Sequence, residues 1–475
     1  MIRTSFKLRP YIRGFLVSTE KNMKVPDTFV AVPDDDLNIY RDSETITRSA
    51  YSGEFKVMVF GVTVDTINYR TTPQGIAESL LSALVSGRDA FFARLSEIGG
   101  RYAICAKDDA GYFILNDAGG VRSIFYHADK EGGFYVGSHA KLIAEQIKAT
   151  LTPFSKNIQS LGEGYRTRNW PGRTSKYDTV FQLTPNTYLG LPDCLVTRFY
   201  PLESLPERSP EEAAILIKPY LQNAIAALSM HYGGFTSRAM LLLLSSGIDS
   251  RLVLSTLKNF SDRTHALTYR ISERHEADVK VAHDLARIVG ITHHTFTAMD
   301  KTDDVVSSWA TQNGAGVYVG SKPVINECFK NYSDFPFSLR GNLGEISRGV
   351  FQARSAYSDS PAKFMARIWF RGSENHSHVL ECFEDYAKTI QIEKAKWPLR
   401  ILYYWEHKHA TWHSASVNEL DLAFDTFNIL NSRNILEGMC GVSEKDQAED
   451  AVHHALIQIL WPELAELPIN PETYP

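Results

Sequence analysis

Residues 239–259 read AMLLLLSSGIDSRLVLSTLKN. An apolar run ends in a Ser/Gly turn carrying one acid, and an amphipathic segment starts at once. The stretch therefore reads as a buried parallel strand, a tight loop and a helix N-terminus. That geometry binds anions, because the N–H groups of the loop and first helical turn lack intrahelical partners, and Ser245, Ser246 and Ser250 add hydroxyl donors. Gly247 and Ile248 complete the turn. Asp249 is the odd residue: an acid aimed at a phosphate repels it unless a divalent cation lies between them, so its presence points to Mg2+ with a nucleotide. No Lys follows the glycine, which excludes the G-x-x-x-x-G-K-[ST] loop. Ser, Gly and Asp would also serve an ordinary strand-to-helix turn, so the surroundings must decide.

Downstream, 265–271 (HALTYRI) is a second candidate parallel strand. Residues 273–289 read as a helix with Ala277, Val281, Leu285 and Ile288 on one face, closed by Gly290, and ITHHTFTA gives a third strand. Strand, helix, strand in this order predicts a doubly wound parallel sheet with ligands at the carboxyl ends of its strands, where the loop lies. His293 and His294 read as polar residues at a strand entrance rather than as a metal pair.

Upstream the signals are short and strand-like: 14–18 (GFLVS), 29–32 (FVAV), 56–62 (KVMVFGV), 101–106 (RYAICA), 112–115 (YFIL) and 133–137 (GFYVG). Helices are expected over 74–84 and 87–97, giving an α+β domain rich in antiparallel strands. A Pro-, Gly- and Arg-containing stretch, 152–176, leads to a short β connector. A long helix then opens at Ser209 or Pro210, places Glu211 and Glu212 at its positive end and stops at Gly233-Gly234.

The chain has 475 residues, so two or three domains are expected. Net charge is -5 with a pI near 6.3 and there is no long basic run, which argues against nucleic acid as a partner. Five scattered cysteines, without a C-x-x-C pair, fit a reducing compartment and free thiols, and give no support for zinc. The N-terminus lacks the apolar core of a signal peptide and no stretch is apolar enough to span a bilayer, so a cytoplasmic enzyme without membrane contact is expected.

The 239–259 loop resembles the SGGxDS pyrophosphate loop of adenylating ATP-pyrophosphatases, with Ser246 in place of its first Gly. Residues 99–127 (GGRYAICAKDDAGYFILNDAGGVRSIFYH) and 132–145 (GGFYVGSHAKLIAE) resemble the end of the class II glutamine amidotransferase domain of asparagine synthetase, with Asp117, Gly119, Arg122 and Tyr126 at matching places. That family's glutaminase uses an N-terminal Cys, whereas position 2 here is Ile and no Cys precedes Cys105, so glutamine hydrolysis by that chemistry is not expected. A retained scaffold, as in β-lactam synthetase, is the analogy.

The resemblance extends through the second half. Glu276, Ala282, Ala286, Gly290 and His293 echo the family's helix, and Leu267 to Arg270, with Leu267 and Tyr269 foremost, would flank the adenine. Residues 338–351 (SLRGNLGEISRGVF) stand in the place of its G-E-G-x-D-E segment: Gly341 matches, Asn342 replaces the first Glu, and Glu345 is the surviving acid, between Arg340 and Arg348. From Pro361 onward the chain reads helical, and the aromatic- and His-dense 397–413 reads chiefly as core. Glu419 and Asp425 fall at or near family acids, and Lys445 falls on the Lys that neutralises charge during adenylation.

The resemblance implies an α/β protein. Residues 1–205 would form an Ntn-type α+β sandwich derived from the amidotransferase domain. Residues 206–475 would form a doubly wound ATP-pyrophosphatase domain with a helical C-terminal part. It also implies ATP and Mg2+ as cofactors, Asp249 and Glu345 as metal ligands, Glu345 and Lys445 as catalytic residues, and Ser245 to Ser250 with Gly341 as the nucleotide cradle. Small-molecule or peptide carboxylate and amine substrates follow, and a homodimer is compatible with this reading. The competing class is a non-catalytic nucleotide-binding or assembly protein.

Overall fold

The computed structural model describes residues 9–129, 132–156, 169–232, 240–272, 275–298, 306, 322–350, 360–370 and 372–474. The expected helix stop at Gly233-Gly234 and the expected helix start at Glu273 lie outside these residues.

Twelve strands build the first part: β1 (Phe15–Ser18), β2 (Phe29–Val32), β3 (Asn38–Asp42), β4 (Thr47–Ser52), β5 (Phe55–Asp65), β6 (Ile98–Asp108), β7 (Gly111–Asn116), β8 (Phe125–Ala128), β9 (Phe134–Gly137), β10 (Phe181–Gln182), β11 (Thr187–Gly190) and β12 (Leu195–Arg198). They form two six-stranded antiparallel sheets, in the orders β10-β8-β9-β1-β3-β2 and β12-β11-β7-β6-β5-β4. The side-chain period of two aims Phe15 and Val17 of β1 inward against Met58 and Phe60 of β5, and Phe15 stacks on Phe60 at 5.2 Å. Leu16, between them, faces the helix Ala140–Ile147. The outer face of the other sheet is covered by the helices Pro73–Val85 and Arg88–Leu95. The layers are thus helix, sheet, sheet, helix. Strands β3, β4 and β8 were not expected from the sequence.

The second part is a five-stranded, wholly parallel sheet in the order β15-β14-β13-β16-β17, from β13 (Met240–Leu243), β14 (Thr264–Arg270), β15 (Thr292–Thr297), β16 (Phe337–Leu339) and β17 (Asp425–Phe427). Both faces are covered: Met240 and Leu242 pack with the helices Pro210–His231 and Ile248–Thr256, and Leu241 with the helix Lys322–Tyr332. That two-sided burial explains the uninterrupted MLLL run. Strand order reverses at β13, which has β14 on one side and β16 on the other, so the loop after β13 sits at the topological switch point.

The long helix starts with a capping box in which Ser209 and Glu212 satisfy each other's backbone N–H, and Gly290 ends the helix Glu276–Val289 at φ 71. Ile288, expected on that helix's buried face, is 37% exposed; Ala282, Ala286 and Val289 complete the face instead. The region after Pro361 is helical except for β17, which inserts beside β16. Residues Tyr403–His413 wind as a π-helix, a rare wide form that is frequent at functional sites. No helix among the described residues is long and apolar enough to cross a membrane.

The two parts are joined by buried polar contacts. Arg101 of β6 donates to both carboxylate oxygens of Asp421, to Asp425 and to Asn418. Asn431 bonds Asp117 and the Gly119 N–H, and Arg198 grips Glu406 with two bonds of 2.7 Å. Asp117 also accepts the N–H groups of Tyr102, Val121 and Arg122, so the matched amidotransferase positions Asp117, Gly119 and Arg122 organise a turn and the junction. Ahead of β1 stands Arg13, which donates to the Asp421 carbonyl. Cys105 lies between the sheets, its thiol pushed up to about 12 by burial.

Candidate nucleotide site

At the carboxyl end of β13 a cavity of about 310 Å³ opens. Its lining includes Ser245, Asp249 and Ser250 of the loop, Leu267 and Tyr269 of β14, and Gly341 and Glu345 of the segment after β16. Seven of the residues picked from the sequence, drawn from three separate stretches, thus meet around one space. Ser246, Gly247 and Ile248 belong to the same loop behind that wall, Ile248 facing the core. Thr268, Ile271, His275, Asp278, Arg340 and Asn342 complete the lining with Leu243 and Leu244.

The loop is held by its own hydroxyls. Ser250 Oγ accepts the Ser245 N–H at 3.1 Å and lies 3.0 Å from Ser245 Oγ, which accepts the Gly247 N–H at 3.2 Å. The Ser246 N–H is taken by the Asp278 carboxylate, so a side chain carboxylate occupies one of the loop's anion donors. Arg251, fully buried, donates to the carbonyls of Ser246, Leu464, Leu467 and Pro468, tying the loop to residues 464–468; burial without a carboxylate partner pulls its guanidinium down to about 10.

Gly341 has a steric cause. A Cβ there would come within 2.5 Å of Asp249 C and Ser250 N, so only glycine lets the segment after β16 lie on the loop. At Gly344 a Cβ would meet Asp249 Oδ1 at 2.3 Å. Between them Leu343 takes φ 83, a costly conformation for a bulky residue, and its side chain abuts Gly119 of the sandwich.

The acids are matched by bases from elsewhere. Asp249 Oδ2 accepts from Arg348 Nη1 at 2.9 Å, while its Oδ1 lies 3.1 Å from His453 Nε2 of the helix Ala451–Leu460. Glu345 Oε1 accepts from Asn342 at 3.2 Å, and its Oε2 lies 3.4 Å from His409 Nε2 of the π-helix. Burial pushes the Glu345 carboxyl up, but the facing His409 outweighs it and holds the group down at about 2. Asp249 Oδ1 and Glu345 Oε2 are both buried without a hydrogen bond. Tyr404 is close enough that Glu345 and Asp249 add to the rise burial gives its phenol.

Lys445 is not brought to the cavity: it is 80% exposed on the helix Glu444–Ala448 and lies 4.0 Å from Glu449. Asp425 pairs with Arg101 at the junction. His293 bonds Thr268 and His294 bonds His265, and no cluster of three metal-ligating side chains occurs among the described residues. The sequence reading missed Asp278, Arg348's pairing, His409 and His453. His453 had a signal: it lies on the apolar stripe with Val452, Leu456 and Ile457, where a polar residue needs a partner.

A parallel sheet with a serine-rich anion loop at its switch point fits an ATP-pyrophosphatase-like α/β domain. Residues 239–328 match the family described as "Queuosine biosynthesis protein QueC". A 7-cyano-7-deazaguanine synthase of Frankia casuarinae is 35% identical over 69 residues, which cover 14% of this chain and 29% of that protein. The matched part thus spans less than a third of the curated relative. The matched segment is QueC-like, within the pyrophosphate-loop ATPase superfamily that also holds asparagine synthetase; the match is to the QueC family and not to an asparagine synthetase family.

Proposed function

We propose that the protein is an ATP-dependent, AMP-forming carbon–nitrogen ligase. A substrate carboxylate oxygen attacks the α-phosphorus of ATP, the bond to the β-phosphate oxygen breaks, and pyrophosphate leaves. An amine then attacks the acyl carbon, AMP departs, and an amide forms. The observation that carries the reading is the convergence of the serine loop, the β14 wall and Gly341 with Glu345 on one cavity. The N–H groups of the first turn of the helix Ile248–Thr256 and the loop hydroxyls receive the phosphates, Leu267 and Tyr269 flank the base, and Glu345, kept ionised by His409, faces the reacting end. The QueC-like segment supports adenylation, and the relative's name describes formation of a nitrile, a neighbouring carbon–nitrogen chemistry.

Magnesium fits the donors. Asp249 Oδ1 and Glu345 Oε2 are buried oxygens that each meet only a histidine nitrogen, at 3.1 and 3.4 Å, and a cation that takes one or two carboxylates plus phosphate oxygens and waters could complete them. When bound, the ion would neutralise charge on the triphosphate. In the same reading, residues 1–205 are an Ntn-type sandwich, supported by its helix-sheet-sheet-helix layers, and 206–475 are the adenylating domain. Lys445 would have to reach the site by rearrangement. Its exposure favours a second reading, a nucleotide-binding protein without ligase chemistry.

Incubation with ATP, Mg2+ and a panel of carboxylates and amines tests this. Pyrophosphate and AMP are expected; ADP and phosphate would sink the adenylation mechanism, and tight ATP binding without turnover across the panel would favour the second reading.

A further inference from the structure

Asp249 sits in the first turn of the loop's helix, where its charge opposes a bound triphosphate. That charge is met from a distant part of the chain. Arg348 Nη1 lies 2.9 Å from Asp249 Oδ2, and its Nε lies 2.9 Å from Asp450 Oδ1, so the guanidinium is clamped between two carboxylates. Asp450 holds φ 54, a left-handed conformation that a non-glycine residue adopts at a cost, just ahead of the helix Ala451–Leu460. Burial disfavours the Arg348 charge, but Asp450, Asp249 and Glu345 outweigh it and keep the group protonated. Lys445, by contrast, faces solvent.

We propose that Arg348 is a positioning residue of the nucleotide site: it orients and neutralises the Asp249 carboxylate so that the loop accepts a triphosphate. The inference rests on the ATP reading of the cavity. It assigns the cation behind the phosphates to a guanidinium that acts through Asp249, rather than to the lysine suggested by the order of motifs. Asp450 is the second jaw of the clamp, and its backbone conformation is the cost of placing it there.

Calorimetric titration of the full-length protein with ATP, in EDTA and in saturating Mg2+, tests it. Arg348→Met is expected to weaken ATP binding about tenfold in EDTA but less than about threefold in Mg2+, because a divalent cation takes over the neutralisation. Asp450→Asn, which loosens the clamp without removing the guanidinium, gives a smaller loss of the same pattern and carries the test if Arg348→Met fails to fold. On an Asp249→Asn background, Arg348→Met adds no further loss. A purely structural arginine would weaken binding equally with and without Mg2+ and on both backgrounds, and that result overturns the proposal. Equal affinities of wild type and Arg348→Met in EDTA overturn it too, as does a wild type that binds ATP only with Mg2+. A wild type that binds ATP under neither condition removes the ATP reading and this inference with it, whereas normal binding with indifferent variants removes the inference alone.

Discussion

Among the arginine–carboxylate pairs of the described residues, Arg101 with Asp421 and Arg348 with Asp249 are built to opposite ends. At the junction between sandwich and parallel sheet, Arg101 and Asp421 are each 1% exposed, and the guanidinium spends four hydrogen bonds on Asp421, Asp425 and Asn418. At the cavity, Arg348 and Asp249 are 24% and 16% exposed, and the second oxygen of Asp249 has no hydrogen bond. A buried pair whose two carboxylate oxygens are both hydrogen-bonded is a joint, since removing either partner strands a charge in a medium that cannot solvate it. A pair left partly open and partly unsatisfied is a place for a ligand, because something else can complete it.

Four measurements would break or sharpen that contrast. The largest effect is expected from Arg101→Met, which strands Asp421 and Asp425: unfolding free energy in chemical denaturation should fall by about 3–5 kcal/mol. A loss below about 1 kcal/mol would put the joint on a par with a surface pair. Next, Asp249→Ala should cut pyrophosphate release by about 100-fold or more while leaving the melting temperature close to wild type; collapse of the fold instead would make the cavity a joint as well. Third, acid should loosen the protein through its buried imidazoles. Burial holds His139 and His407 down at about 3, the charges of Arg122 and Arg101 adding at His139 and that of Lys408 at His407. Each is depressed below its unfolded value of about 6.5, so the stability it contributes is whole above that pH and drains away as pH falls toward about 3. Thermal melts from pH 7 to pH 4 should show a steady decline, and a flat profile would contradict the burial of these rings. The smallest effect is that of Lys445→Ala, about twofold or less on turnover, as for an exposed side chain; a tenfold loss would restore the catalytic role inferred from motif order.

What the sequence disclosed, and what it hid, follows from how local the causes are. The strand-loop-helix at 240–256, the capping box at Ser209 and the stop at Gly290 depend on neighbours within a few positions, and their signals are read directly. Strands β3 (NIYRD) and β4 (TRSAYS) carry polar residues because their outer positions are only half covered, so they lack a strong apolar run. Strand β17 is three residues long within a helical region and exists because β16 is there to pair with it. The site divides in the same way. Ser245, Asp249, Ser250 and Gly341 are fixed by loop chemistry, whereas His409, His453 and the Arg348–Asp450 clamp are joined across tens to hundreds of positions that no spacing rule connects. Lys445 shows the reverse error: the motif order places it correctly along the chain, but its five-residue helix turns it outward.

Arg251 has a consequence for the order in which the molecule can be made. Its guanidinium sits in the helix that follows the loop, yet three of its four acceptors are the carbonyls of residues 464, 467 and 468. On the ribosome, the loop emerges roughly 200 residues before those carbonyls exist, which at about 5–20 residues per second is a wait of about 10–40 seconds. Until then a cation meant for the interior has only the Ser246 carbonyl to hold, and β17 is missing from the sheet for most of the same interval. A nascent chain therefore emerges with its serine loop unfinished, and the proposed nucleotide site is completed late, with residues 464–468.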